Sequence, residues 1–428
     1  MTLPQSELRS SEMVDARISG DLSADRCPLE PDMAAGSYRL QVFTTVEAVE
    51  ALRPVWNLWA NSLETDFDYF LNGLTNHGSP SSLCVIVVFH DNVPRAMLIG
   101  QVRTRRASAI ISFLNIPGPR ERVLTIHRGG RMGQPSPMID KLLASELLKI
   151  ARSGMVDALS FDRLPLQSEL FHQIQQMPGF MLKECVPHIF YYSVLTLSAQ
   201  GSNSPSVFTG KAQREVRRKT RILDNAFPGK VQLKCFSQPA ELGEGLRDAL
   251  RVAGTTWQFH LGEGLAHAPQ AQANFHFFAQ QGWLRIFILY IKDSPCAYLV
   301  GQLYNHTFYC QHAGYNPSFT NYSVGAVLTA RAFEELAAVG VQHVDLGEGG
   351  QEHNRRLGCE KSEEGTVHIY SPTLRGVGLS LFFLTTRAIR KGGRGMQRAL
   401  HLQWLSKIWR QYLFSRWNSH QPSSEPDA

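Results

Sequence analysis

Ile286–Leu303 reads IFILYIKDSPCAYLVGQL, and earlier in the chain Val85–Val102 reads VIVVFHDNVPRAMLIGQV, a match that needs no gap. Pro94 meets Pro295, Ala96 meets Ala297, Leu98 meets Leu299, Gly100 meets Gly301 and Gln101 meets Gln302. Nearly every other position keeps its apolar character. Each stretch is an apolar run, a polar turn and a second apolar run, the pattern of a buried strand hairpin. Downstream, Lys141–Phe161 (KLLASELLKIARSGMVDALSF) resembles Ala326–Leu346 (AVLTARAFEELAAVGVQHVDL), with Gly154 and Gly340 closing the two helices. Upstream, Leu40-Gln41-Val42-Phe43-Thr44 resembles Leu233-Lys234-Cys235-Phe236-Ser237. Three matches in one order predict two copies of a single α/β unit, each reading strand, helices, hairpin strands, helix, strand.

The rest of the chain fits around these copies. At 428 residues it is long enough for two domains and tails, and 43% hydrophobic content fills two cores. A net charge of +6 is modest for this length, so no nucleic-acid partner is expected. Seven scattered cysteines without a C-x-x-C pair predict a reducing compartment and no structural zinc. With no leader-like apolar run and no stretch of about 18 apolar residues, a cytoplasmic location is expected. Residues 1–37 are rich in Ser, Pro, Asp and Glu and are expected to be a disordered tail. Order is predicted from a strand at Tyr38–Phe43, followed by one helix over Val46–Ser62. Strands follow at Leu83–Phe89, Arg95–Arg103 and Ser108–Ile116, then a helix over Pro137–Ser153 and a strand at Val156–Phe161.

Chemistry concentrates in the second copy. Tyr315, Asn316 and Pro317 open a loop that ends at Tyr322-Ser323-Val324-Gly325, where Ser323 can cap a helix and Gly325 leaves its first amides open. A helix start after a strand suits an anion, so a phosphate-bearing ligand is expected there. Between the copies, Lys211, Arg214, Arg218 and Arg221 recur at helical spacing as one basic face, either a solvated linker or an anion-attracting surface.

The order of elements, the basic helix between the copies and the phrases GYNPSFTNYSVGAVL and DLGEGGQEHN resemble the tandem-repeat branch of the GNAT acetyltransferase superfamily. The subgroup resembled is the one associated with cellulose and exopolysaccharide biosynthesis, with the Fem-type aminoacyl transferases as more distant kin. The likeness covers roughly Tyr38 to Tyr370. It implies an α/β fold with mixed sheets and two tandem GNAT-like acyltransferase units, at 38–200 and 231–372, joined by a basic linker at 201–230. The implied activity is N- or O-acyl transfer from acetyl-CoA or another acyl-CoA, without a metal, to a small-molecule or saccharide acceptor. That family carries Pro-Gly where this chain has Val324-Gly325, and Tyr-Lys where it has His353-Asn354; Arg355 and Arg356 stand beside the missing lysine.

The resemblance also implies a site. Donor pantetheine would lie between splayed parallel strands, Thr307–His312 and Gln342–Leu346, with its pyrophosphate on the amides of Ser323, Val324 and Gly325 near Tyr322 and Arg355. A strand amide near Gln311 would face the oxyanion. Asp345 or Glu348 would serve as base, with His312 and His353 as alternatives, and Tyr315 or Tyr322 would reprotonate the sulfur. The first copy carries Arg128-Gly129-Gly130-Arg131 and Pro135-Ser136-Pro137 at the matching place, which suggests a degenerate copy shaping the acceptor cleft. Two other functions stay open: a non-catalytic binding or scaffold protein, and a Fem-like transferase using charged tRNA. Residues 373–428 hold basic residues around Leu405, Ile408, Trp409, Tyr412 and Leu413, and Gly392, Gly393 and Gly395 are expected to split this tail into two helices. Such a stripe either packs on the body or makes peripheral contact with the inner membrane.

Overall fold

Both hairpins form as the repeat predicts, down to the turn. In the computed structural model, strands β2 (Ser81–His90) and β3 (Val93–Ile111) answer to β8 (Leu284–Ile291) and β9 (Ser294–Tyr304). Their turns place Asp91 and Asn92 at φ 52 and 63°, and Lys292 and Asp293 at φ 49 and 61°. Two left-handed residues are the connection whose twist suits an antiparallel pair. A register shift follows Val88 in one hairpin and the matching Leu289 in the other. The outer strands agree too: Leu40 of β1 (Tyr38–Phe43) pairs with Val88, and Leu233 of β7 (Val231–Phe236) with Leu289. The structure describes residues 37–399 apart from 76–80, 112–113, 177–182, 198–207, 209, 257–258, 260–264, 266–268 and 348–359.

The remaining strands are β4 (Leu114–Gly133), β5 (Ala158–Pro165), β6 (Lys183–Thr196), β10 (Thr307–Tyr315), β11 (His343–Asp345) and β12 (Glu360–Tyr370). All join one mixed sheet ordered β1-β2-β3-β4-β5-β12-β6-β11-β10-β9-β8-β7. Each copy repeats one scheme: three antiparallel pairings, then one parallel pairing, β4 with β5 and β10 with β11. The final strands are exchanged. β12 closes the edge of β5, β6 closes the edge of β11, and the two lie antiparallel at the centre. The fold is therefore two copies of one α/β scheme sharing a continuous mixed sheet.

Helices cover both faces. α4 (Pro137–Arg152) and α5 (Glu169–Gln175) bury Leu143, Leu147 and Ile174 against Leu124 and Leu159. Their counterpart α9 (Val324–Ala338) buries Val327 and Phe333 beside α6 (Gly210–Ala226), which contributes Leu223. On the other face lie α1 (Val46–Glu50), α2 (Arg53–Trp59), α3 (Phe67–Thr75), α7 (Leu242–Ala253), α8 (Pro269–Gln280) and α10 (Leu374–Ala399). α10 seats Leu379, Phe382 and Phe383 on Ala107, Val123, Ala158 and Tyr370. Fully burying such side chains contributes about 1.5–3 kcal/mol each.

Three expectations need correction. The helix expected over Val46–Ser62 is broken, because Pro54 cannot continue a helix from the preceding turn; the Trp56 indole then donates to Thr65 O (2.8 Å) and folds the segment back. The strand expected at Ser108–Ile116 is instead where β3 reverses into β4. The glycines at 392, 393 and 395 do not split the tail: α10 runs through them, each costing about 1 kcal/mol relative to alanine without forbidding a helix. Residues 1–36 and 400–428, including the Leu405–Leu413 stripe, lie outside the described residues. Among the described residues no helix is long and apolar enough to cross a membrane.

Candidate active site

The parallel pairing of β10 with β11 lasts three residues, Thr307–Tyr309 against His343–Asp345. β10 then runs on to Tyr315, roughly 20 Å further at a strand's rise, while β11 stops. A bulge between Cys310 and His312 takes Gln311 out of the ladder with β9, which bends the strand away. Buried Gln302 holds the bulged side chain, its Nε2 donating to Gln311 Oε1 (2.7 Å). The result is a wedge-shaped groove whose apex is Tyr309 and Asp345.

At the far end of the groove α9 begins. Ser323 does not cap it as expected: the residue is left-handed (φ 53°), its side chain makes no capping bond, and its carbonyl instead accepts from Ala326 and Val327. A capping serine needs extended backbone, which the tight 3-10 turn Pro317–Tyr322 does not leave it. The amides of Val324 and Gly325 precede those first bonds and face outward. Val324 itself is buried, so only its backbone could touch a ligand. A Cβ on Gly325 would meet the Tyr315 ring at 3.2 Å, so Tyr315 roofs the helix start. Tyr322 packs edge-on against Phe227 (5.0 Å).

Asp345 is 5% exposed on the face opposite α9, and its Oδ1 accepts from Gly347 N (2.8 Å). Burial pushes its carboxyl up to about 7, with the negative charge of Glu64 adding to the rise and Arg128 and Arg163 opposing it. None of these three lies in the second copy. Glu64 belongs to the 3-10 turn Leu63–Thr65, whose Leu63 amide donates to Tyr309 Oη (3.3 Å); its Oε2 is buried with no hydrogen-bond partner among the described residues. Arg128 leaves the β4 bulge to pair with buried Glu364 (2.9 Å), and Arg163, left-handed at φ 56°, lies two residues before the end of β5. Tyr309 is held above the usual phenol range by burial first and Glu64 second. His312 shares this face, and burial lowers its imidazole. Glu348, His353 and Arg355 lie outside the described residues.

The first copy has the same wedge and a different floor. β4 and β5 run parallel over Val123–Ile126 and Ala158–Phe161, then part around a cavity of ≈ 540 Å³ lined by Gly129, Gly130, Phe161, Arg163 and the start of α4. There the first turn carries Pro137, which has no amide hydrogen, and Asp140, whose buried carboxylate binds Arg131 (2.8 Å). Arg131 spends its other donors on the carbonyls of Met132, Gly133 and Gln134. The first turn of α4 thus carries a carboxylate and lacks one amide hydrogen, both unfavourable to a bound anion.

Among the described residues no three His, Cys, Asp or Glu are placed to share a metal ion. Residues 210–355 match the family described as Acetyltransferase (GNAT) domain. That stretch holds the groove, the start of α9 and Asp345. No curated protein matches the chain. Among solved structures, FemX is similar at 9% identity over 67% of this chain and 87% of that one, with a TM-score of 0.47. A conserved protein of unknown function from Bacteroides thetaiotaomicron VPI-5482 is similar at 12% identity over 64% and 86%, with a TM-score of 0.45. A tandem GNAT protein from the clavulanic acid biosynthesis pathway is similar at 11% identity over 78% and 99%, with a TM-score of 0.42.

The Asp345 environment fixes a sign. Below about pH 4 the carboxyl is neutral in folded and unfolded chains alike; as pH rises toward 7 only the unfolded chain ionises freely, so stability falls across that window. Asp345→Asn removes the effect. Thermal melts are expected to show the variant more stable than the parent above pH 7, by on the order of 3 kcal/mol, with the gap closing toward pH 4. A gap that does not change with pH contradicts the buried-acid description.

Proposed function

We propose that the chain is an acyl-CoA-dependent N- or O-acyltransferase. The observation that carries this reading is Asp345: a buried carboxyl near neutrality at the apex of a strand wedge, where an acceptor proton can be taken. The groove fits a donor with a phosphate end, since the start of α9 offers open amides and no side chain at Gly325. When bound, the thioester supplies an activated acyl carbon. Asp345 takes the proton from the acceptor amine or hydroxyl as it attacks that carbon, and the amides freed by the Gln311 bulge face the oxygen that becomes charged. The carbon–sulfur bond then breaks and CoA leaves as the thiol, its proton drawn from Tyr315, the phenol on the donor side, or from water, and Glu348 remains a second candidate base.

The first copy, with Asp140 in its helix start, is read as unable to hold a donor phosphate; its cavity receives the acceptor. Arg163 lines that cavity and also acts on Asp345, so one side chain links the two. The acceptor is proposed to be a small molecule or saccharide of polysaccharide or cell-envelope assembly, with peripheral contact at the inner membrane face. Calorimetric titration with acetyl-CoA, longer acyl-CoAs and CoA tests the reading. One saturable site that also binds CoA is expected, and release of free thiol on adding an acceptor completes it. Absence of binding by every thioester removes the proposal.

A further inference from the structure

A second cavity lies on the face of the sheet that α10 covers, between α10, the β3–β4 pair and β12. It holds ≈ 420 Å³ and is lined by Arg105, Arg106, Arg387, Arg390 and His368, with Glu121 as its one carboxylate. Glu121 is already engaged: its side chain is 3% exposed and accepts from Arg105 Nε at 2.8 Å. The other wall is apolar and flat, with Tyr370 stacked on Phe383 at 6.0 Å beside Val123. Four guanidinium groups against one acid give this concave, partly desolvated lining a formal excess of positive charge. Guanidinium forks match phosphoryl oxygens, and the volume exceeds what a bare phosphate fills.

The geometry points to a binding site for a phosphoryl or pyrophosphoryl group carried on an organic body that lies against Tyr370 and Phe383. The site is separate from the donor groove. Val194 pairs with both Asp345 and Glu360, and His368 sits eight residues beyond Glu360 on β12, roughly 25 Å away. It does not rest on the acyl-transfer reading. The phosphoryl group can come from a soluble ester or from an anionic lipid headgroup. The second source fits the outer side of α10, where Leu374, Val377, Leu381 and Leu384 are exposed at the spacing of one helix face.

The test uses the full chain at low ionic strength, with inorganic pyrophosphate in one arm and phosphatidylcholine vesicles with and without phosphatidylglycerol in the other. Arg387→Gln/Arg390→Gln is the diagnostic variant, because Arg105 must stay to pair Glu121. It is expected to stay folded, as its melting transition reports, and to bind pyrophosphate at least about tenfold more weakly. Gly325→Leu is expected to keep the pyrophosphate site that the double variant loses, whatever it loses in the donor groove. Pelleting that requires phosphatidylglycerol and is lost in the double variant assigns the lipid source; weakened pyrophosphate binding without pelleting assigns the soluble one. Equal binding by parent and double variant in both arms overturns the site. Loss of pyrophosphate binding in Gly325→Leu overturns it too, by placing the anion in the donor groove, and leaves the acyl-transfer reading standing.

Discussion

Asp345→Asn is expected to lower turnover by on the order of 10²-fold or more while donor affinity stays within about twofold, as loss of a general base does. The amide keeps the size of the side chain and can still accept from Gly347, so geometry survives and only proton uptake is lost. The parent's turnover should rise with pH through about 7, where the buried carboxyl ionises, and the variant's residual turnover should lack that limb. Because Glu64 helps to hold Asp345 high, Glu64→Gln should move the limb to lower pH without abolishing turnover. Glu348→Gln made alone and with Asp345→Asn settles which carboxylate acts. Full turnover in both single variants and in the pair removes them as bases.

Substitution at Gly325 gives the second large effect. The amides at the start of α9 can meet a phosphate only if nothing stands over them, and the Tyr315 ring already covers one side at 3.2 Å. Gly325→Ala pushes on a ring that is 42% exposed and can swing outward, so a modest loss of donor affinity is expected. Gly325→Leu fills the approach itself and should weaken acyl-CoA binding by about 10²-fold or more, the scale of losing several charge-assisted hydrogen bonds. The fold should persist, since the position has a partly exposed, ordinary helical backbone. Calorimetry on both variants checks the series, and unchanged affinity in Gly325→Leu rules out this groove as the donor site.

Much of the fold was legible because hairpins and buried helices write themselves locally. The matched prolines, glycines and apolar runs carried the turn geometry of Asp91-Asn92 and Lys292-Asp293 with them. The strand exchange left no such trace: β6 and β12 would serve equally well against either copy, and only the assembled sheet decides. The site divides the same way. Asp345, Gly325 and Gln311 lie within one stretch of chain, though the bulge at Gln311 shows only in the ladder with β9, and Glu64 and Arg163 reach Asp345 only through the packing of one copy on the other. Arg128 stood out beside its glycines, but its partner Glu364 is 236 residues away. Ser323 shows that residue type suggests a cap while backbone conformation grants it.

The exchanged strands also set the order in which the protein can be completed during synthesis. The edge of β5 waits for β12, the last of the described strands to leave the ribosome, so the first copy emerges early and stays one strand short until the second has been made. An uncovered edge of that kind invites pairing with neighbouring chains. A nascent chain stopped anywhere before Glu360 therefore carries a sticky seam, and expression of the first copy by itself calls for a graft of β12, or for β6 folded back into its place.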